Sequence, residues 1–388
     1  MLKKSLGIIG AGLLISSVAG ATEIYNNDGT TVALTGTIKF GYVSNNSRLP
    51  NDKAHLSSFA FVDETLDKTS KLGISGSRQV SDDMKVFAAY EWAMNPLANP
   101  NDGSDAGYMT PRFGYAGLDH TTYGKISFGK QNGVYKDVAS FTEKFDVSGS
   151  LGGLAVTSGK IFGAGDLGAF TGTGKADASA QYRKKFGPVA LGLQYQAHGT
   201  NNQIATLNNA PTPMILDRDL SAGISVVSDI MQGLKGGIAF NYAKLDITGM
   251  SGEKVDRMDG VIGAVYDKDG FTLALTGSYN TNYFQKLSLS TDMKDGTQSM
   301  GQESFIAYRM NSEQLFVGNN YMHTTYDASN KGNTIDANIL IVGYRHHFTP
   351  AAYVSLEYSY DLRSENAIKL STNNRNKTMV GAIIKYDF

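Results

Sequence analysis

Apolar and polar residues alternate with period two along most of the chain. Val32, Leu34, Ile38, Phe40 and Tyr42 share one face, and Thr31, Thr35, Thr37 and Lys39 share the other. Met84, Val86, Ala88, Tyr90 and Trp92 alternate with Lys85, Phe87 and Glu91, and Val189, Leu191, Leu193 and Tyr195 alternate with Gly192, Gln194 and Gln196. The pattern returns in Phe271, Leu273, Leu275 and Tyr279, and again in Val380, Ala382, Ile384, Tyr386 and Phe388. Successive side chains of a strand point to opposite faces, so this pattern predicts β-strands. Beyond the N-terminus no stretch carries a convincing helical period. The segments are roughly 8 to 11 residues long, which suits a tilted strand crossing a bilayer.

The links between segments separate two all-β readings. A soluble sandwich alternates because its apolar face packs on a second sheet, and a membrane barrel alternates because its outer face meets lipid. Short links fall at Ser81–Asp83, Lys185–Pro188, Asp267–Gly270, Asn311–Gln314 and Phe348–Ala351. Between them lie long polar stretches at Val43–Ser70, Gly133–Asp177, Ala197–Arg218, Asn280–Glu303, His323–Ile335 and Asp361–Lys377. Short and long links take turns, as in a barrel with short turns on one rim and long loops on the other. The rhythm predicts about 16 antiparallel strands, closed on themselves because every backbone polar group in a bilayer must be paired.

Composition agrees with that reading. Charged residues are 18% of the chain, Gly accounts for 44 of 388 residues, Tyr for 21 and Phe for 18, with 8 Pro and no Cys. A mean hydropathy of −0.23 is too polar for a bundle of membrane helices. The 41% hydrophobic content is too high for a disordered chain. A net charge of −1, balanced along the chain, offers no footprint for nucleic acid. At the N-terminus, Lys3 and Lys4 precede an uncharged stretch from Leu6 to Val18 and a small-residue site at Ala19-Gly20-Ala21, the pattern of a cleaved signal peptide over 1–21. Loss of Lys3 and Lys4 takes the net charge from −1 to −3. The remaining 22–388 reads as one barrel domain.

Several residues then point to a family. Glu23-Ile24-Tyr25-Asn26-Asn27-Asp28-Gly29, Arg112-Phe113-Gly114-Tyr115-Ala116-Gly117-Leu118, the run from Gly129 to Val138, Ala180-Gln181-Tyr182-Arg183 and the terminal Ile384-Lys385-Tyr386-Asp387-Phe388 resemble the general diffusion porins of Gram-negative bacteria. The resemblance implies a trimeric, 16-stranded, water-filled barrel in the outer membrane, in contact with its lipid and lipopolysaccharide. It also implies a third loop, 133–177 here, folded inward as a constriction. Wall cations map to Lys71, Arg112 and Arg183, and loop acids to Glu143 and, near the second acidic position, Asp146. The family's Pro-Glu-Phe-Gly-Gly run is missing, and its first-strand Lys is replaced by Thr37, with Lys39 two residues on. The link 93–110 occupies the place of the inter-subunit latch, and Phe388 that of the signal read by the barrel-insertion machinery.

The residues support part of this directly. Lys71, Arg112 and Arg183 read as out of phase with the apolar residues of their strands and are expected to face the lumen. A cation facing mid-bilayer lipid costs about 2–4 kcal/mol. Lys39 and Glu91 are secondary lumen candidates, and Phe87 is the one clear lumen aromatic. The expected function is passive diffusion of small hydrophilic solutes and ions, with no catalytic step, cofactor or metal. An oligosaccharide-specific porin, which would need a ladder of lumen aromatics, and a barrel serving as adhesin or receptor are the alternatives. Gly163-Ala164-Gly165-Asp166-Leu167-Gly168 matches a dinucleotide-binding pattern, but the Gly- and Thr-rich run after it is not expected to start a helix. His346 and His347 are adjacent on a strand and point to opposite faces, which disfavours chelation.

Overall fold

In a computed structural model the described residues are 21–46, 57–58, 70–94, 109–147, 167–205, 214–248, 253–281, 298–325, 337–363 and 378–388. The leader 1–20 and the latch residues 95–108 lie outside them. The strands are β1 (Thr22–Asn27), β2 (Thr30–Asn46), β3 (Ser57–Ser58), β4 (Ser70–Ser81), β5 (Met84–Met94), β6 (Met109–His120), β7 (Gly124–Asn132), β8 (Lys175–Phe186), β9 (Val189–Gln196) and β10 (Gly199–Ala205). They continue with β11 (Met214–Met231), β12 (Leu234–Thr248), β13 (Glu253–Lys268), β14 (Phe271–Thr281), β15 (Gln298–Met310), β16 (Glu313–Thr325), β17 (Ala337–Thr349), β18 (Ala352–Asp361) and β19 (Thr378–Asp387).

These segments make a closed, 16-stranded antiparallel barrel. β9 and β10 both pair with β11, one beyond the other, and together serve as a single wall strand. β3 and β4 pair one beyond the other with β2, and β1 and β19 lie end to end along its other side, so each pair counts once; the β19–β2 ladder from Thr378↔Asn46 to Asp387↔Thr37 closes the sheet. Closure leaves no open edge, as a bilayer requires. Several strands outrun the expected 8 to 11 residues, with 17 in β2, 18 in β11 and 16 in β13. Their ladders continue past the apolar band into charged residues, as in the Asp217↔Asp246 and Lys244↔Asp256 pairs.

The predicted faces hold. Phe40, Tyr90, Leu193, Tyr195, Leu275, Ile384 and Tyr386 are exposed on the outside, the side that meets lipid. Asn241, Asn280, Glu303, Asn320 and Glu357 are buried on the inside. Two-residue turns join most strands at the short-link rim, and three residues, 121–123, join β6 to β7. Asp269 and Gly270, at φ 52° and 82°, have the paired positive φ that matches a hairpin turn to strand twist.

The chain end seals the seam. The Gly36 N–H donates to the Phe388 carbonyl at 2.7 Å, the Phe388 N–H donates back to Gly36 at 3.0 Å, and the Phe388 ring lies over Gly36, where a Cβ would come within 2.2 Å. Deleting Phe388 removes both bonds and the ring. The expected result is a lower yield of heat-modifiable folded barrel in cells, checked by gel mobility with and without heating.

Candidate functional site

Residues 134–147, after β7, pack on inward-facing residues of the wall. A short helix α1 (Lys136–Ala139) is followed by a 3-10 turn (Ser140–Thr142). Apolar residues from 134 to 147 then run along the inside of the wall. Tyr135, Val138 and Ala139 pack on Ala239 of β12 and Val261 of β13. Phe145 packs on Ala274, Phe305, Phe316 and Ile341, contributed by β14 to β17. Val147 reaches Ile383 of β19.

Glycines make room for this path. A Cβ added at Gly223 would lie 2.9 Å from Val134, one at Gly237 2.9 Å from Val138, and one at Gly263 3.1 Å from Phe141. At Gly318 it would meet the Phe145 ring at 2.3 Å, and at Gly381 it would meet Val147 at 2.5 Å. Each glycine sits on a different strand at an inward position. Part of the glycine excess in the composition is therefore a seat for the loop.

Polar contacts fix the segment at several points. Arg183 Nη1 of β8 donates to Asp137 Oδ2 at 2.5 Å, and the Ser225 hydroxyl donates to the same oxygen at 2.6 Å. Thr142 Oγ1 donates to Glu303 Oε2 at 2.6 Å. At the far end Arg345 Nε of β17 donates to Asp146 Oδ2 at 2.7 Å, and the Tyr353 hydroxyl donates to Asp146 Oδ1 at 2.7 Å. Lys39 Nζ donates to the Asp146 carbonyl at 2.8 Å. The N–H groups of Asp146 and Val147 both donate to the Glu357 carboxylate, the latter at 2.8 Å. Arg345 also donates to the Lys144 carbonyl and lies over the Phe316 ring, 4.4 Å from its centroid.

The residues just before β8 form a second short helix, α2 (Leu167–Thr171), where the sequence reading expected none. Wall side chains take its free carbonyls. Gln196 donates to Ala169 at 3.0 Å, Arg218 donates to Phe170, and Ser221 and Asn241 each donate to Thr171 at 2.8 Å. Tertiary bonding supplies what local propensity lacks. β8 begins at Lys175, so the loop ends before 175 rather than at 177.

The expected site residues fall into separate groups. Lys71 Nζ lies 3.8 Å from Glu91 Oε2, and Arg112 Nε lies 3.1 Å from Glu91 Oε1, so one carboxylate on β5 serves a cation on β4 and another on β6. Arg183 is on β8 and is held by Asp137 of the loop. Glu143 is partly exposed, 3.6 Å from Lys136 of its own loop. Asp146, expected to face the wall cations across an opening, is instead 8% exposed between Arg345, Tyr353 and Lys39, because residues 145–147 lie against β15–β19. Lys39 is inward and 5% exposed, and it serves that anchor.

Arg112 reaches the lumen for a different reason from the one its sequence suggests. Phe113, Tyr115 and Gly117 pair with the inward Glu91, Ala89 and Phe87, so strict alternation would turn Arg112 toward lipid. The register slips between Glu91↔Phe113 and Trp92↔Pro111, leaving Arg112 as the extra residue of a β-bulge. A bulge re-aims a side chain in this way. Phe87 is also not alone among inward aromatics. Besides Phe87, the inward face carries Phe113, Tyr115, Phe305, Phe316 and Tyr353, of which Phe305 and Phe316 are covered by Phe145.

Asp137, Arg345, Tyr353, Glu357 and the seat glycines were missed. Arg345 and Glu357 lie at inward phase on their strands, a signal of lumen position but not of partner. Among the described residues, no group of three or more His, Asp or Glu lies close enough to hold a metal. His346 contacts Glu313 at 2.8 Å and His347 contacts Gln314 at 3.4 Å, both near the short-turn rim.

The loop contacts described above fall on β8, β9, β11–β19 and β2, whereas Lys71, Glu91 and Arg112 stand on β4–β6. The interior is polar and the exterior apolar, as in a channel through a bilayer. Comparison with known proteins agrees. A sequence profile of the Gram-negative porin matches residues 9–367. Outer membrane porin N of Escherichia coli is 27% identical over 295 residues, covering 73% of this chain and 70% of its own length. A Salmonella typhi OmpF, solved in complex with daunomycin, superposes with a TM-score of 0.69 at 18% identity, over 95% of this chain and all of the other. An in-vitro folded Vibrio cholerae OmpT superposes with a TM-score of 0.59 at 16% identity, over 93% of this chain and all of the other. The chain belongs to the Gram-negative porin family and forms an outer-membrane channel for passive diffusion.

Proposed function

We propose that the narrowest part of the channel lies between the loop segment 133–147 and the wall of β4–β8. Lys71, Glu91, Arg112 and Arg183 would set the field on the wall side, and Glu143 would set it on the loop side. The observation that carries this reading is the path of the described loop residues, whose contacts named above run along β8, β9, β11–β19 and β2 while the Lys71–Glu91–Arg112 cluster stands on β4–β6. Charges of both signs in a narrow, low-dielectric section orient water and favour polar solutes. The inward aromatics of β15 and β16 lie under Phe145 rather than in a ladder open to solute, which favours a general over an oligosaccharide-specific channel. Liposome swelling with sugars of graded size tests this. A smooth size cutoff is expected, while saturation or the absence of swelling would overturn it.

The channel assembles as a homotrimer in this reading. The outer face of β2 and β4–β7 carries a groove of about 560 Å³, lined by small residues such as Gly76, Ala88, Gly114 and Ala116 beside Val32, Ile74, Tyr90 and Phe128. Small residues let a neighbouring wall approach closely. The similar Vibrio cholerae OmpT was solved in a trimer form. An SDS-resistant trimer is expected, weakened when residues 97–106 are removed. Migration of the native protein as a monomer in mild detergent would overturn this. Lipopolysaccharide around the barrel and recognition of Phe388 by the insertion machinery complete the proposal.

A further inference from the structure

On the short-turn side of the loop, a row of charged residues crosses the inner wall. Lys85 pairs in register with Asp119, Asp119 with Lys125, and Lys125 with Arg183, one residue from each of β5, β6, β7 and β8. Residues directly opposite on neighbouring strands are close enough to interact strongly. Among the described residues, the two carboxylates beside this row are already engaged. Asp119 Oδ2 lies 3.5 Å from Lys85 Nζ, and Asp137 from the loop holds Arg183 at 2.5 Å. Three cations therefore share two carboxylates.

Lys125 is the cation left over. Among the described residues no carboxylate lies within ion-pair distance of it, and its Nζ rests over the Phe87 ring, 4.3 Å from the centroid. Its neighbours Ile126 and Phe128 are exposed on the lipid side, so Lys125 is on the lumen face with Ser127. The ring holds the ammonium in place through its face. A lysine ammonium has three donors, so the ring face leaves donors for a solute.

We propose that Lys125, seated on Phe87 between Asp119 and Arg183, is an anion-binding subsite of the lumen for small oxyanions such as carboxylates and phosphate. It holds them briefly on the short-turn side of the loop and biases the channel toward anions there. The proposal rests on the channel reading above, and a wild-type protein that conducts no ions would overturn that reading rather than this one.

The test is single-channel recording in planar bilayers, with inorganic phosphate titrated into potassium chloride. Phosphate is expected to reduce the wild-type current saturably. In Lys125→Met the half-blocking phosphate concentration should rise at least tenfold, and the zero-current potential under a salt gradient should move toward potassium. Lys125→Arg keeps a cation over the ring and should stay within about threefold of wild type. Phe87→Leu, which keeps the charge but removes the ring face, should weaken block by a smaller factor than Lys125→Met. Heat-modifiable gel mobility establishes that each variant is folded. A conducting wild type with no saturable phosphate effect, or a folded Lys125→Met with wild-type block and reversal potential, would overturn the proposal.

Discussion

Replacing Arg345 by Met is expected to turn a quiet channel into one that flickers. Arg345 is 9% exposed and faces Asp146 at 2.7 Å and Glu357 at 4.0 Å, both carboxylates almost fully buried. Removing it leaves two buried anions with Lys39 as their remaining cation among the described residues. Breaking a buried ion pair by removing one partner costs about 3–5 kcal/mol. That shifts the balance between pinned and released loop by about two to four powers of ten. Phe145 and its glycine seat still favour the pinned form, so the released loop is expected as an excursion into the lumen rather than as a permanent state. Current traces should show frequent partial closures and a lower mean conductance than wild type, with the folded barrel yield unchanged. Glu357→Gln keeps one acceptor for the loop N–H groups and should flicker less. Wild-type open-channel noise in Arg345→Met would mean that the cluster does not hold the loop.

The double substitution Arg112→Ala with Arg183→Ala should give the largest change in selectivity. Each arginine is paired with a carboxylate, Glu91 at 3.1 Å and Asp137 at 2.5 Å. Removing both therefore does more than delete two positive charges, because it also takes the arginine from Asp137 and leaves Glu91 to Lys71. Side chains 7–17% exposed inside a narrow pore are screened less than charges on an open surface. The zero-current potential under a salt gradient should shift strongly toward cations, and single-channel conductance should rise as side-chain bulk leaves. Two opposite shifts complete the pattern. Glu91→Gln leaves Lys71 and Arg112 without their shared partner and should move selectivity toward anions, and Glu143→Gln should do the same more weakly. A wild-type reversal potential in the double arginine variant would show that these residues do not line the narrowest section.

Much of the barrel could be read from the chain alone because its physics is local. Period two is a property of each strand, so Phe40, Tyr90, Leu275 and Ile384 could be assigned to the lipid face without knowing any neighbour. Turn chemistry is local as well, and Asp269-Gly270 marks its hairpin within two residues. The alternation of short turns with long loops follows from the same reading. It predicted 16 strands and a closed sheet.

What only the tertiary structure decided depends on residues far apart in sequence. Arg345 and Asp146 are separated by 199 positions and Glu357 and Asp146 by 211, and no periodicity links such pairs. Inward phase was legible for Arg345 and Glu357, but the loop segment they hold was not, because loop path is set by contacts with many strands at once. The glycines at 223, 237, 263, 318 and 381 could be counted in the composition, yet each acquires meaning only from the side chain lying over it. Helix α2 forms against its local propensity because Gln196, Arg218, Ser221 and Asn241 satisfy its carbonyls. Arg112 shows the limit most plainly. Strict alternation, a local rule, sends it to lipid, and a one-residue slip against β5 brings it to Glu91 in the lumen. Strand register is a property of two strands together, so it had to come from their pairing.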